Sequence, residues 1–367
     1  MTNPTQRRVV VAMSGGVDSS VAAALLVEQG YEVIGLMLRL WAEQGGAANR
    51  CCTPDAVADA RRVAERLDIP FYVRDYKNVF KNTVVDFFID GYAQGITPNP
   101  CVVCNREVRF GRLLREALAL DAGYLATGHY ARLRQNEDGS YDLLKGLDPH
   151  KDQSYVLYTL TQEKLAHSLF PVGHYTKETI RQIALKWGLP VFSKTDSQDL
   201  CFLGDGDYRA FLRRHAPQVL EPGPITDTSG RVIGRHTGLA NYTIGQRKGL
   251  GPLKIAGVAN GGPRPHYVIA LDTSRNSLVV GPAEALGLRE LTARSMTYIA
   301  GQPPGGPFPL RVTAKIRYKA REAAAWVTPL PEGRLRAEFE TPLRDITPGQ
   351  ALVLFDGDCV VGGGIIE

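Results

Sequence analysis

Cysteine is scarce in this chain, with six residues in 367. That is too few for a disulfide framework, so in a reducing compartment the thiols stay open to reactive or ligating roles. Long apolar runs are also missing. The N-terminal stretch MTNPTQRRVVVAMSGG holds only Val9 to Met13 before turn residues, short of a secretory leader, and no later run approaches the roughly 20 residues of a membrane span. A cytoplasmic protein that does not enter membranes is the expectation. Neither sign of charge dominates: 43 Lys and Arg against 38 Asp and Glu leave +5, which fits a nucleic-acid partner without requiring one. Repeats and long low-complexity tracts are absent. What remains, 44% hydrophobic and 22% charged residues over this length, describes a globular protein of two or three domains.

The first part alternates strand and helix patterns. RRVVVAM reads as a strand, and in DSSVAAALLVEQG the positions Val21, Ala24, Leu25 and Glu28 follow helical spacing up to Gly30. YEVIGLMLRLW reads as the second strand. TPDAVADARRVAERLD predicts a helix with Thr53 as N-cap and Pro54 at its first position. FYVRDY, a helix around 78–92, another from Asn105 to Leu120, and the strand YLATG continue the pattern. The fold class expected is α/β: a parallel-sheet nucleotide-binding domain over residues 1–208, which binds ligands beyond the carboxyl ends of its strands. A small β-rich central domain is expected over 209–284, where HYVIALDTSRNSLVV reads as two strands around a polar turn. Short strands punctuated by Pro and Gly predict a C-terminal β-barrel over 285–367.

The string SGGVDSS, Ser14 to Ser20, falls between the first strand and first helix. Unpaired backbone N–H groups and a positive helix end meet there and suit phosphate. Gly15 and Gly16 admit close approach, and the hydroxyls of Ser14, Ser19 and Ser20 can donate. The lysine of a Walker loop is missing, which argues against γ-phosphoryl transfer. The full string resembles the pyrophosphate loop of the ATP pyrophosphatases, which cleave ATP between the α and β phosphates and adenylate their substrate. The resemblance implies ATP, with Mg2+, held by Ala12, Met13, Ser14, Gly15, Gly16, Val17, Asp18 and Ser19, with Leu38 against the adenine and Gly128 of ATGHYAR against the nucleotide.

TPNPCVVCNREVRF puts Cys101 and Cys104 three residues apart, and TDSQDLCFLGD adds Cys201. C-x-x-C alone does not choose between metal ligand, redox pair and catalytic thiol. Cys359, in GDCVVGG, reads as a small core residue. Cys51 and Cys52 open a helix, and their role stays open. Taken together, SGGVDSS, the Cys101/Cys104 pair, ATGHYARL, KDQSYVLYTL, Cys201, GLANYTIGQRKGLG and AKIRYKAREA resemble the tRNA-uridine 2-sulfurtransferases (MnmA-type 2-thiouridylases) over nearly the whole chain. That resemblance implies adenylation of the wobble uridine at its C2 oxygen, in tRNAs of the Glu, Gln and Lys type, and displacement of AMP by sulfur. It also implies a sulfur donor or relay protein; a monomer is expected. In the family Cys104 matches the nucleophile and Cys201 the persulfide carrier. The chain departs from the pattern at Cys101, where many relatives have Asp. With three thiols in play, a 4Fe-4S cluster on Cys101, Cys104 and Cys201 is the favoured sulfur route; a persulfide on Cys201 with Cys104 as nucleophile is the alternative, and zinc comes after both.

The resemblance further implies RNA contacts at Asn99, Pro100 and Cys101 (target base), at His129, at Lys151, Asp152 and Gln153, and at Arg317, Tyr318 and Gln350. TAKIRYKAR as a strand would put Lys315, Arg317, Lys319 and Arg321 on one face as a phosphate track. The anticodon stem-loop suits such a site because an unpaired base can be splayed into it. An amidating ATP pyrophosphatase would leave the three thiols unexplained. A metal-binding RNA adaptor would leave SGGVDSS unexplained.

Overall fold

A computed structural model describes residues 7–41, 43, 53–195, 200–203, 206–253 and 265–367. Cys51, Cys52 and most of the loop GVANGGPRPH lie outside the described residues. Strands β1 (Arg8–Ala12), β2 (Glu32–Arg39), β3 (Phe71–Asp75), β4 (Tyr124–Ala126) and β7 (Ser168–Leu169) form a parallel sheet in the order β3-β2-β1-β4-β7. Val9, Val10 and Val11 of β1 are all fully buried, as a central parallel strand covered on both faces requires. Helix α1 (Val17–Glu28) packs an almost entirely apolar surface under the sheet. Helix α2 (Pro54–Leu67) starts as the sequence predicts, Thr53 Oγ1 accepting from Ala56 N at 3.0 Å. Strand order reverses between β1 and β4, so the crevice beyond their carboxyl ends is the switch point where such sheets bind ligands.

The helix expected from Asn105 starts earlier. It runs from Pro100 to Ala119, capped by the side chain of Asn99, and Cys104–Leu113 is wound as a π-helix. Wider turns of this kind are frequent at functional sites. No helix among the described residues is long and apolar enough to cross a membrane.

The central domain is a four-stranded sheet, ordered β10-β11-β8-β9, of β8 (Gly223–Thr226), β9 (Val232–His236), β10 (Tyr267–Asp272) and β11 (Ser277–Gly281). It closes over Ile225, Val268, Leu278 and Val280. Beyond it, β12 (Leu288–Tyr298), β13 (Leu310–Lys315), β14 (Ala323–Leu330), β15 (Arg334–Leu343), β16 (Ala351–Asp356) and β17 (Cys359–Ile366) form an antiparallel barrel, closed by pairing of β12 with β17. The hairpin β5 (Ala131–Gln135) and β6 (Tyr141–Lys145) leaves the parallel sheet and joins the barrel at Leu144 opposite Cys359. One core therefore spans both bodies: Val10, Leu36 and Leu125 of the sheet share a cluster with Ala351, Val353, Phe355 and Val360 of the barrel.

The expected strand TAKIRYKAR is only half formed. β13 stops at Lys315, Ile316 turns inward at 2% exposure, and the chain enters a turn. Lys315 lies beside Asp152 at 3.7 Å, and Arg317 bonds Ile244 O and Thr347 Oγ1. Of the four expected track residues, only Lys319 and Arg321 stay exposed. Internal partners claimed the other two.

Phe355 is fully buried in the shared core. Phe355→Ala is expected to cost about 3–5 kcal/mol, and chemical unfolding should show sheet and barrel signals shifting together to lower denaturant.

Candidate active site

The loop after β1 is shaped by its own polar groups. Gly15 has φ +70°, and a Cβ there would sit 2.3 Å from Ala56 O, so a side chain is excluded both by conformation and by space. Ser14 N donates to Ser19 Oγ at 3.1 Å, and Ser20 Oγ donates to Gly16 O at 2.8 Å. Ser20 is fully buried by that bond. Of the three hydroxyls expected to serve a ligand, Ser14 and Ser19 reach the cavity and Ser20 does not. Gly16 N-caps α1 without a side-chain hydrogen bond, and Val17 is buried beneath the loop. Gly128, at the end of β4, packs on the same turn: a Cβ would lie 2.7 Å from Ser19 N and 2.8 Å from Asp18 C.

Two lysines reach this loop that sequence reading missed. Lys177 Nζ lies 2.7 Å from Asp18 Oδ1, which also accepts from Tyr130 OH at 2.7 Å. Lys194 Nζ donates to Gly15 O at 2.9 Å and to Asp59 at 2.7 Å. Neither belongs to a motif that would have flagged it. Tertiary packing brings them here.

Beyond the loop opens a cavity of about 160 Å3. Ala12, Met13, Ser14, Asp18, Ser19, Leu38 and Gly128 are among its lining residues, and so are Cys104, Cys201, Arg109, His129 and Gln153. The structure thus brings two of the three singled-out thiols and the nucleotide loop onto a single space.

The third thiol is placed differently. Cys101 is exposed on the first helical turn, whereas Cys104 is buried in a cluster with Phe202 and Phe211. The protein around Cys101 desolvates a thiolate and pushes the thiol up to about 11; Cys104 adds to the rise, and the Arg109 guanidinium opposes it. Tyr318, on the turn after β13, has its phenol pushed up to about 12 by burial and by the nearby charges of Asp152 and Cys101. Among the described residues no group of three or more His, Cys, Asp or Glu is gathered to hold a metal. Cys101 is exposed on the helix, whereas Cys104 and Cys201 both belong to the aromatic cluster.

His129 is buried and neutral. Desolvation, reinforced by Arg109, holds its imidazole well below the ordinary histidine value. Thr127 Oγ1 lies 2.7 Å from Nδ1, and Arg109 Nη1 3.5 Å from Nε2. A guanidinium only donates, so Nε2 accepts and the Nδ1 hydrogen goes to Thr127.

Several expected RNA contacts are occupied by the protein itself. Asp152, 8% exposed, accepts from Gly146 N, Ser154 N and Ser154 Oγ, each at 3.0 Å. Gln153 Oε1 accepts from Tyr130 N at 3.1 Å. Gln350 Nε2 donates to Thr97 O at 2.9 Å, fixing the loop before Asn99 and the buried Pro100. Arg317 is tied to Thr347 and Asp345. Lys151 is half-buried, while Tyr318 remains 38% exposed.

The chain matches three family models: one described as a tRNA methyl transferase HUP domain over residues 7–205, one as a tRNA methyl transferase PRC-barrel domain over 209–282, and one as an aminomethyltransferase beta-barrel domain over 288–366. It is 54% identical to the tRNA-specific 2-thiouridylase MnmA of Moorella thermoacetica over 363 residues, 98% of this chain and 99% of that protein. The proteins of the same name from Symbiobacterium thermophilum and Magnetococcus marinus are 50% and 51% identical, covering 99% and 100% of this chain and 93% and 100% of theirs.

The placement of Cys101 has a direct consequence for its reactivity. Its alkylation by iodoacetamide, followed by peptide mass spectrometry, should be slow at pH 7.5 and rise about tenfold per pH unit toward 11. A plateau reached near pH 9 would mean an ordinary thiol.

Proposed function

The chain belongs to the MnmA family of tRNA-specific 2-thiouridylases, and on that premise we propose that it is a tRNA-uridine 2-sulfurtransferase. It uses ATP to exchange the C2 oxygen of the wobble uridine for sulfur in tRNAs of the Glu, Gln and Lys type. The observation carrying this reading is that the pyrophosphate loop and the thiols of Cys104 and Cys201 line one cavity. An amidating enzyme has no use for two thiols facing its nucleotide.

ATP sits with its phosphates on the N-terminus of α1 and its base toward Leu38. Mg2+ supplies charge neutralisation to the phosphates, and Asp18 is the carboxylate among the lining residues suited to help hold it. The uridine O2 attacks the α-phosphorus, a new O–P bond forms, and pyrophosphate leaves with the electrons of the broken P–O bond. C2 then carries AMP as a leaving group.

Among the described residues no group of three metal-ligating side chains is gathered, and no step is routed through a 4Fe-4S cluster. The persulfide route is supported by Cys104 and Cys201 lining one cavity. A persulfide on Cys201, charged by a sulfur donor or relay protein, attacks C2 and expels AMP. The Cys104 thiolate attacks the Cys201 sulfur and breaks the S–S bond. The thiolated base is released, and a Cys104–Cys201 disulfide remains until a thiol reductant returns two electrons. Cys101 keeps its proton throughout, in line with its raised thiol value.

Recognition of the anticodon stem-loop is supported by the turn after β13, where the exposed ring of Tyr318 offers a stacking surface and Lys319 and Arg321 lie open to phosphate. His129, buried and neutral, supports the cavity wall; a direct meeting with RNA would need the base inserted fully.

The test is thiolation by the purified protein, supplied with ATP, Mg2+, unmodified tRNA and a persulfide donor, read as 2-thiouridine by nucleoside mass spectrometry. Wild type should form it, Cys104→Ser and Cys201→Ser should not, and Cys101→Ser should retain most activity. Loss of activity in Cys101→Ser with four irons bound to the wild type would return the cluster to first place.

A further inference from the structure

The motif GLANYTIGQRKGLG supplies nothing to the chemistry above, yet the central domain builds a braced turn from it. Thr243 O accepts from Gln246 N at 3.0 Å, and Gly245 at φ +85° provides the left-handed residue between them. The Gln246 side chain ties both ends: Oε1 accepts from Thr243 N at 3.2 Å, and Nε2 donates to Lys248 O at 2.8 Å. Gly245 N donates to Val268 O of β10 and Val268 N to Gln246 O, each at 2.9 Å. Arg247 and Lys248 stand exposed on this turn.

We propose that Arg247 and Lys248 hold backbone phosphates of the RNA stem flanking the target nucleotide, and so set the direction from which that nucleotide enters. The inference rests on the tRNA reading above and deepens it, because it brings in the central domain, to which that reading gives no contact.

Placement is the first argument. Arg317 Nη2 donates to Ile244 O at 3.3 Å, which joins the turn to the segment carrying Tyr318, Lys319 and Arg321. Gly245 comes so close to the barrel that a Cβ there would lie 3.4 Å from Asp345 Cβ and 3.7 Å from Arg344 O. The far end of that barrel segment meets the target-base loop, where a Cβ on Gly349 would lie 3.0 Å from Thr97 O. One short barrel segment thus links the Arg247 turn to the loop before Asn99 and Pro100.

Charge is the second argument. Arg247, Lys248, Lys319, Arg321 and Arg344 are all exposed, and among the described residues none of them makes an ion pair or a side-chain hydrogen bond. The carboxylates around them are engaged. Asp345 lies 3.6 Å from Arg317, Glu322 2.7 Å from Lys145, and Asp152 3.7 Å from Lys315. Asp207, which neighbours Thr243 through Tyr208, caps the helix Tyr208–His215. On the strands of the barrel, by contrast, the exposed Arg311 and Arg336 are paired with Glu340 and Glu338. Unpaired cations on touching segments repel one another and gain from a polyanion. A turn already fixed by Gln246 loses little freedom when it binds. Phosphate contacts position an RNA without reading its sequence, so one grip serves every tRNA of the substrate set.

The test is equilibrium binding of unmodified tRNA to the full-length protein between about 50 and about 200 mM salt. The double variant Arg247→Gln/Lys248→Gln should bind Glu, Gln and Lys tRNAs alike about tenfold more weakly at the low end, with a salt slope shallower by about two and an unchanged melting temperature. Arg247→Lys/Lys248→Arg, which keeps both charges, should restore affinity and slope. Arg311→Gln, which removes a charge from an existing ion pair, should leave the slope as it is. Equal affinity and slope in wild type and the double glutamine variant, or the same loss in Arg311→Gln, would overturn the inference. So would intact tRNA binding with slower sulfur uptake from a donor protein, which would assign the turn to an acidic protein partner. A wild type that fails to bind tRNA at all would instead bring down the tRNA reading, and this inference with it.

Discussion

The thiol-bearing helix is held by two bodies at once, and the site depends on that. Thr97 N donates to Pro348 O at 3.0 Å and Gln350 Nε2 donates to Thr97 O at 2.9 Å, so the loop leading into Asn99 and Pro100 is fastened to the barrel. Tyr155 OH donates to Ala351 O at 2.8 Å a few ångströms deeper, with its ring beside Tyr318. Gly349, at φ +88°, makes the approach possible, since a Cβ there would meet Thr97 O at 3.0 Å. Each hydrogen bond contributes only about 1 kcal/mol net. Their common effect is geometric: the barrel sets where Cys101 and Cys104 stand relative to the nucleotide loop. The continuous core from Val10 to Phe355 makes that setting rigid.

Within this frame the polar groups divide by burial. Asp18, Lys177 and the end of α1 form a charged side suited to phosphates. The neutral His129 and the aromatic surroundings of Cys104 form a drier side, on which Arg109 is the charged group. Adenylation requires the first environment. Attack by a soft sulfur nucleophile gains from the second, where little water competes for the activated carbon. The cavity joins them over a few side chains.

Much of this was legible in the sequence because it is contiguous there. SGGVDSS between a strand and a helix gave the loop, and the alternation of patterns gave the parallel sheet, since both rest on local spacing. Features built by distant contacts were not legible. Lys177 sits in a plain helix, and only tertiary packing sets it against Asp18. The segment ARLRQNEDGSYDLLK carries no sign that its hairpin joins a barrel two hundred residues on. KDQ and TAKIRYKAR look like charges facing solvent, yet Asp152 is spent on backbone N–H groups and Arg317 on Ile244 and Thr347. A polar side chain taken up by internal partners has the same sequence as an exposed one. The thiol set shows the limit most clearly, because three cysteines in suitable motifs do not by themselves fix which two line the cavity.

The central claim is that sulfur passes through Cys104 and Cys201 together. The most direct measurement is peptide mapping of the protein after a single anaerobic turnover with persulfide donor, ATP and tRNA, quenched by alkylation. The account predicts a Cys104–Cys201 disulfide formed in equal amount to 2-thiouridine, with Cys101 recovered as a free thiol. Thiolated tRNA formed while Cys104 and Cys201 both remain alkylatable, or a linkage containing Cys101, would contradict it.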